Sequence, residues 1–315
     1  MNTPLNAMPE SPFGSQAVAP AVMSETQPLY WSIRRELWEN RSIYIAPLAV
    51  AAVYLFGFLI SLFWVPRSMR GIAAAHGSIP PVVELAMPYS HASMLIMLIA
   101  FLVGIFYSLD ALHSERRDRS ILFWKSLPVS DLTTVLSKAS IPLLVLPLLT
   151  FAITVALQLI MLLLSVAVRA VSGSGTSVPW APPLFEMELV LLYAVGVLAL
   201  WHAPIYCWFL LVSGWARRAT FLWAVLPPLG VAVVEYAAFR TSYVGSRLHD
   251  RLGGFTAAAF DLKDKKGVPI DAHFIPLTQL APWRFLSSPG LWIGLVLAAI
   301  FLAAAVRMRR YRDPL

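Results

Sequence analysis

Charge is scarce in this sequence. Asp, Glu, Lys and Arg supply only 13% of its 315 residues, while hydrophobic residues supply 58%. Soluble domains carry about 25% charged residues, so the ordinary soluble classes are excluded and an integral membrane protein is expected. Cysteine is nearly absent as well. The one cysteine, Cys207, lies inside an apolar segment, which rules out an intrachain disulfide and predicts a small buried core residue. No G-x-x-x-x-G-K-[ST] run exists: the Gly-rich stretch Ser172-Gly173-Ser174-Gly175-Thr176-Ser177 has no lysine. The chain therefore has no Walker-type phosphate cradle with which to hydrolyse ATP itself. H-E-x-x-H, C-x-x-C and G-x-S-x-G are missing too, so no catalytic residue, metal ligand or cofactor-binding residue is expected. The first 28 residues hold no Lys or Arg and no apolar core of signal-peptide length, and read as a disordered tail. The net charge of +7 sits beside apolar segments, which points to a membrane surface and not to nucleic acid.

What is abundant is long apolar runs. A span needs about 20 mostly apolar residues. Six segments qualify, at about 43–65, 91–112, 139–168, 188–212, 219–238 and 286–306. Pro142 and Pro147 favour a kink near the start of the third, and Pro289-Gly290 marks the start of the last. The fold class is an all-α integral membrane protein of six transmembrane helices (residues 43–306). Six spans put both termini on one side. The segments on that side carry fourteen Lys and Arg, against three on the other once the long 240–284 loop is set apart. Both termini are therefore expected in the cytoplasm, in a cytoplasmic (inner) membrane, with 307–315 as a basic cytoplasmic tail.

Residues 29–42 read as an interfacial amphipathic helix that lies on membrane lipids. At 100° per residue, Tyr30, Trp31, Ile33, Leu37 and Trp38 share one arc, with Arg35, Glu36, Glu39 and Asn40 opposite. On the outer side, the 240–284 loop is long for a connection, and its Gly253-Gly254 and Gly267 suggest turns in a small cap. His91 and His202 differ in depth by roughly 20 Å at 1.5 Å per residue, which speaks against a paired metal or haem ligand role. Asp110, Glu186, Glu188 and Glu235 fall at span ends. Glu235 is the least comfortable there, because an apolar run follows it, and it is a candidate for lining a polar cavity.

The most informative segment is the loop His113–Lys138. It carries Arg116, Arg117, Arg119, Lys125 and Lys138 together with Glu115, Asp118 and Asp131, and its middle, Ile121–Trp124, is apolar and aromatic. A merely solvated loop has no need of that middle, so a docking element for a cytoplasmic partner is expected. Three sequence features carry a resemblance: Glu115-Arg116-Arg117-Asp118-Arg119-Ser120, then Leu127-Pro128-Val129-Ser130, then Lys138. With six spans and an interfacial helix, the chain resembles the permease subunit of ABC transporters of the ABC-2 (type V exporter) class. It departs from the commonest pattern in Ile121-Leu122-Phe123-Trp124-Lys125, where a Gly-Thr-Leu-Glu type run is frequent.

The resemblance implies that this loop is a coupling helix that docks into a separate ABC ATPase subunit. Ser120 would cap a short helix Ile121–Ser126, Pro128 would end it, and Ser130 or Asp131 would cap the next. Ile121, Phe123 and Trp124 would form an apolar anchor, ringed by Glu115, Arg116, Arg117, Asp118 and Lys125. ATP and Mg would sit on the partner and none on this chain. A second permease copy or a paralogue would complete the transporter. The path would run between protomers, with Met94, Met97, Phe101 and Glu235 as candidate lining. The competing expectation is a membrane enzyme acting on a lipid-linked substrate, with Arg247, Arg251, Lys263, Lys265 and Lys266 of the outer loop holding phosphate headgroups. Alternatively, a secondary transporter would need an inverted repeat and broken helices with buried charge, which the sequence does not display.

Overall fold

Among the described residues, six helices long and apolar enough to cross a membrane make up the body of this multi-pass membrane protein. The computed structural model describes residues 26–64, 81–118, 130–172, 182–261 and 275–311. Helix α1 (Thr26–Glu39) precedes the first span, α2 (Ser42–Trp64). The second span is α3 (Pro81–Asp110), followed by a turn and the short α4 (His113–Arg117). The third span is continuous through α5 (Asp131–Ser140), a π-helical turn at Ile141–Val145 and α6 (Leu146–Ser172). Then come α7 (Leu184–Trp215) and α8 (Thr220–Phe239). The short helices α9 (Tyr243–Gly253), α10 (Phe255–Ala259) and α11 (Pro282–Leu286) lead to the last span, α12 (Pro289–Tyr311). Among the described residues there is no strand, only one isolated bridge between Phe260 and Leu280.

Several helices run past the expected spans, for one physical reason. Counting apolar residues finds the hydrocarbon crossing, not the end of the helix. Helix α3 begins ten residues before the expected span, because Glu84, Pro88 and His91 end the apolar run without ending the hydrogen-bond ladder. Helix α12 likewise runs on through Arg307, Arg309 and Arg310, which lie on its last turns and not on a free tail. The third span changes pitch where Pro142 stands. That proline has no N–H for the carbonyl four residues back, and the local ladder is π-helical there. Ser130 begins α5 as its N-cap, its Oγ accepting from the Thr133 amide at 3.0 Å.

Helix α7 is the centre of the bundle. It packs along α12, α3 and α6, while α8 packs mainly on α9, α7 and α3 among the described residues. The core runs in clusters along these contacts. One is built on Tyr107, Leu112, Val135, Ile141 and Leu210, and another on Tyr89, Ile96, Leu157 and Met161. Phe56, Leu163, Val233 and Val234 are exposed, as suits side chains that face lipid.

Helix α1 divides its apolar arc between two sides. Ile33 and Leu37 pack on the core, but Tyr30, Trp31 and Trp38 point away from the protein. Arg34 lies over both the Trp31 and Trp38 rings, at 5.3 and 5.7 Å. Glu36, expected on the solvent face, is 1% exposed. The inward stripe is thus Ile33, Glu36, Leu37 and Asn40, at spacings of three and four.

Candidate functional sites: an ionic junction and an apolar cavity

At the arginine-rich end of the bundle, four separate elements meet in a buried network of charges. Lys138, on α5, reaches Glu36 Oε1 at 2.8 Å and Glu115 Oε1 at 3.1 Å. Arg35 bridges the same two carboxylates, each at 3.1 Å. Arg309, near the end of α12, pairs with Glu115 Oε2 through Nη1 and with Asp131 Oδ1 through Nε at 3.1 Å. The Tyr107 hydroxyl donates to Glu36 Oε2 at 2.8 Å. In its buried part three acids (Glu36, Glu115, Asp131) balance three bases (Arg35, Lys138, Arg309), and at its edge Arg35 Nε also pairs with the exposed Glu39 at 3.2 Å. That balance is what allows it to be buried, because an uncompensated ion there would be costly. Since α1 and the end of α12 share this cluster, the first and last described helices meet at one end of the bundle.

Glu115 and Arg116, expected on an exposed rim, are both buried. Glu115 is held by Lys138 and Arg309, and Arg116 Nη1 donates to the Gly214 carbonyl at 2.8 Å, which ties α4 to the end of α7. Two further contacts join the same elements: Leu112 N to Ser213 Oγ (3.4 Å) and His113 Nδ1 to the Ala216 carbonyl (3.3 Å). Arg117 and Asp118 are exposed and pair with each other at 3.1 Å. Arg119, Ser120, Ile121, Phe123, Trp124, Lys125 and Pro128 lie outside the described residues.

Met94, Met97 and Phe101 line a cavity of about 510 Å³. It lies within this chain, between α3, the third span, α7 and a wall formed by Leu252, Phe255, Thr256, Phe260 and Ile275. Its wall holds no Asp, Glu, Lys or Arg among the described residues. Its few polar groups are mostly engaged within the protein. Ser93 Oγ donates to the Tyr89 carbonyl (3.0 Å) and accepts from Gln158 Nε2 (2.7 Å), and Thr150 Oγ1 donates to the Leu146 carbonyl (2.7 Å). His202 lies between two carbonyls, with Leu198 O 3.0 Å from Nδ1 and Leu252 O 3.3 Å from Nε2. Tyr206, beside the Phe101 ring, is 6% exposed, and its hydroxyl has no hydrogen-bond partner among the described residues.

Glu235 does not line this cavity. Its carboxylate accepts from Thr241 Oγ1 (2.9 Å) and from the amides of Tyr243 and Val244 (2.7 Å each), capping the start of α9. An acid at the end of α8 is in place to collect the orphan amides of the next helix. Arg251 is likewise turned inward, away from any phosphate-binding surface. Its guanidinium donates to the carbonyls of Trp201 (3.2 Å) and Gly290 (2.8 Å) and lies over the Trp201 ring at 4.7 Å. Burial lowers its pKa from the ordinary arginine value. Lys263, Lys265 and Lys266 lie outside the described residues. Among the described residues, no group of three His, Cys, Asp or Glu could hold a metal ion.

No family model, curated protein or solved structure matches this chain.

The residues that sequence reasoning did not single out are Glu36, Tyr107 and Arg309. Glu36 was detectable in principle. In a chain with 17 acidic residues, one that falls in register with Ile33 and Leu37 must face what they face. Arg309 carried no such signal, because four arginines after a span also read as a positive flank.

Proposed function

We propose that this chain is the membrane subunit of an ABC transporter of the ABC-2 class, moving its cargo outward with ATP hydrolysed by a separate subunit. The observation that supports it best is the ionic junction. The segment that leaves the second span is not a loose loop at its root. Glu115 and Arg116 fasten it to α1, α5, α7 and α12 at once. A partner that seized the 119–129 segment would therefore pull on four helices together, as an energy-coupling element requires. ATP and Mg would be held by the partner. The arginine-rich end would face the cytoplasm, in the cytoplasmic membrane, as the distribution of basic residues implies. Two copies, or one copy and a paralogue, would pair. The exposed apolar side chains of α8, among them Leu222, Leu226 and Leu229, offer one surface for such pairing.

Co-purification from native membranes tests the reading. A tagged chain is expected to bring down a Walker-containing ATPase, and the double variant Phe123→Ala/Trp124→Ala to lose it. Recovery of the intact chain in native lipid with no ATPase would reject the proposal.

A further inference from the structure

We infer that the cavity beside Tyr206 is a binding site for an uncharged, largely apolar molecule that carries one hydrogen-bonding group. The inference concerns binding alone and does not rest on the transport reading.

Three observations point the same way. The volume of about 510 Å³ is within the range of roughly 300–1,000 Å³ in which drug-sized ligands bind. The wall is made mainly of flexible and aromatic apolar side chains, including Met94, Met97, Phe101 and Leu191. Methionine adapts its shape to irregular apolar ligands at little cost. No Asp, Glu, Lys or Arg lines it among the described residues, so an ionic ligand would lose its hydration with no partner in return.

A fourth observation selects the ligand's polar group. A buried tyrosine hydroxyl ordinarily finds a partner. Tyr206 is 6% exposed and lines the cavity, and its hydroxyl, which is not wholly enclosed, has no partner among the described residues, although Ser93, Thr150 and His202 in the same wall are all engaged. Nor is the ring free to turn elsewhere. It is seated against Gly104 so closely that a Cβ there would come within 2.8 Å of it. A surface that only faced lipid chains would not hold an unpaired hydroxyl in this way. A ligand alcohol, ether or carbonyl would complete it. Met94, a lining residue on the second span, is 71% exposed, so such a molecule would enter sideways from the lipid and not from water.

The test uses the purified full chain in phosphatidylcholine nanodiscs and four photoreactive diazirine probes of equal chain length. One is a long-chain alcohol, one a plain hydrocarbon, one a sulfonate and one a quaternary ammonium. Labelled peptides are mapped by mass spectrometry. The alcohol is expected to label the stretches around Met94–Phe101 and Leu191–Tyr206 saturably, and about tenfold more than either charged probe. Tyr206→Phe, which removes one oxygen and little else, should weaken alcohol labelling about three- to tenfold, the equivalent of one neutral hydrogen bond. It should leave the hydrocarbon unchanged. Ala194→Trp, which fills the cavity from its wall, should abolish saturable labelling. Labelling that rises linearly with probe in wild type would overturn the inference, because it would make the cavity an ordinary lipid-facing groove. Equal labelling by the charged probes would overturn it too, as would a Tyr206→Phe variant that binds the alcohol like wild type. If Ala194→Trp unfolds, the Tyr206→Phe comparison decides alone.

Discussion

Lys138 donates to Glu36 at 2.8 Å across 102 positions of sequence, and neither side chain is more than 3% exposed. The pair fastens the helix ahead of the first span to the base of the third. Its partners matter as much as its own attraction. Glu36 also accepts from Tyr107, and Lys138 also holds Glu115. Lys138→Met would leave two carboxylates facing only the two remaining arginines, and breaking a buried pair in this way costs about 3–5 kcal/mol. Adding Glu36→Gln to Lys138→Met should recover part of that loss. The measurement is a double-mutant cycle on denaturant unfolding in detergent. Additive single effects would mean that the pair is not coupled in the folded protein.

Arg309 is expected to tolerate no replacement by lysine. It serves two acids on different elements through different atoms, Nη1 toward Glu115 and Nε toward Asp131. A lysine has one point charge and cannot span both. Arg309→Lys should therefore cost on the order of 1–3 kcal/mol, the price of one unmet charged hydrogen bond. The loss should appear locally. Hydrogen exchange should quicken in the last turns of α12 and the first turn of α5 and stay unchanged in α2. Equal protection in both proteins would show that the Asp131 contact adds nothing.

The fold was largely readable because burial in lipid leaves a coarse signal. Runs of about twenty apolar residues, broken by charge, place six spans without any knowledge of their neighbours. Side-chain partnership is not so written. Glu115 and Arg116 look like any charged pair in a basic loop, and only the meeting of α4 with α5, α7 and α12 buries them. Tyr30, Trp31 and Trp38 belonged to the apolar arc of α1 by periodicity, yet they face outward. An interfacial helix has two partners, lipid and protein, and hydropathy does not tell them apart. The cavity shows the same limit. Met94, Met97 and Phe101 were recognisable as a cluster on the second span, whereas Tyr206 and His202 join them only through packing.

The turn between α7 and α8 stores strain that a glycine would relieve. Ala219 stands at φ 51° and ψ 53°, the left-handed region, immediately before α8. A Cβ there costs roughly 1–2 kcal/mol. Ala219→Gly removes that cost and adds some freedom to the unfolded chain, so a net stabilisation of about 0.5–1 kcal/mol is expected. Ala219→Val should destabilise instead, because a β-branched residue is worse still at positive φ. Thermal unfolding of the three proteins in one detergent checks the order Gly, Ala, Val. A less stable glycine variant would contradict the assigned backbone.

Glu235 should matter to α9 and not to the span that carries it. Its two oxygens take three donors at the start of α9: the Thr241 hydroxyl and the amides of Tyr243 and Val244. Those amides have no partner within α9, as for the first turn of any helix. Glu235→Ala leaves them to water and removes a negative charge from the positive end of the helix dipole. Their exchange should quicken severalfold, and the effect should travel along α9. The last turn of that helix carries Arg251, whose bonds to Trp201 and Gly290 hold α9 to the bundle. Glu235→Gln keeps the shape and one good acceptor, so it should fall between wild type and Ala. Hydrogen exchange over 240–254 tests the series, with α8 residues 222–232 as the internal control. If all three proteins exchange alike there, the carboxylate does not cap α9, and that helix is held by Arg251 and the Trp201 indole, whose Nε1 donates to the Asp250 carbonyl at 3.3 Å.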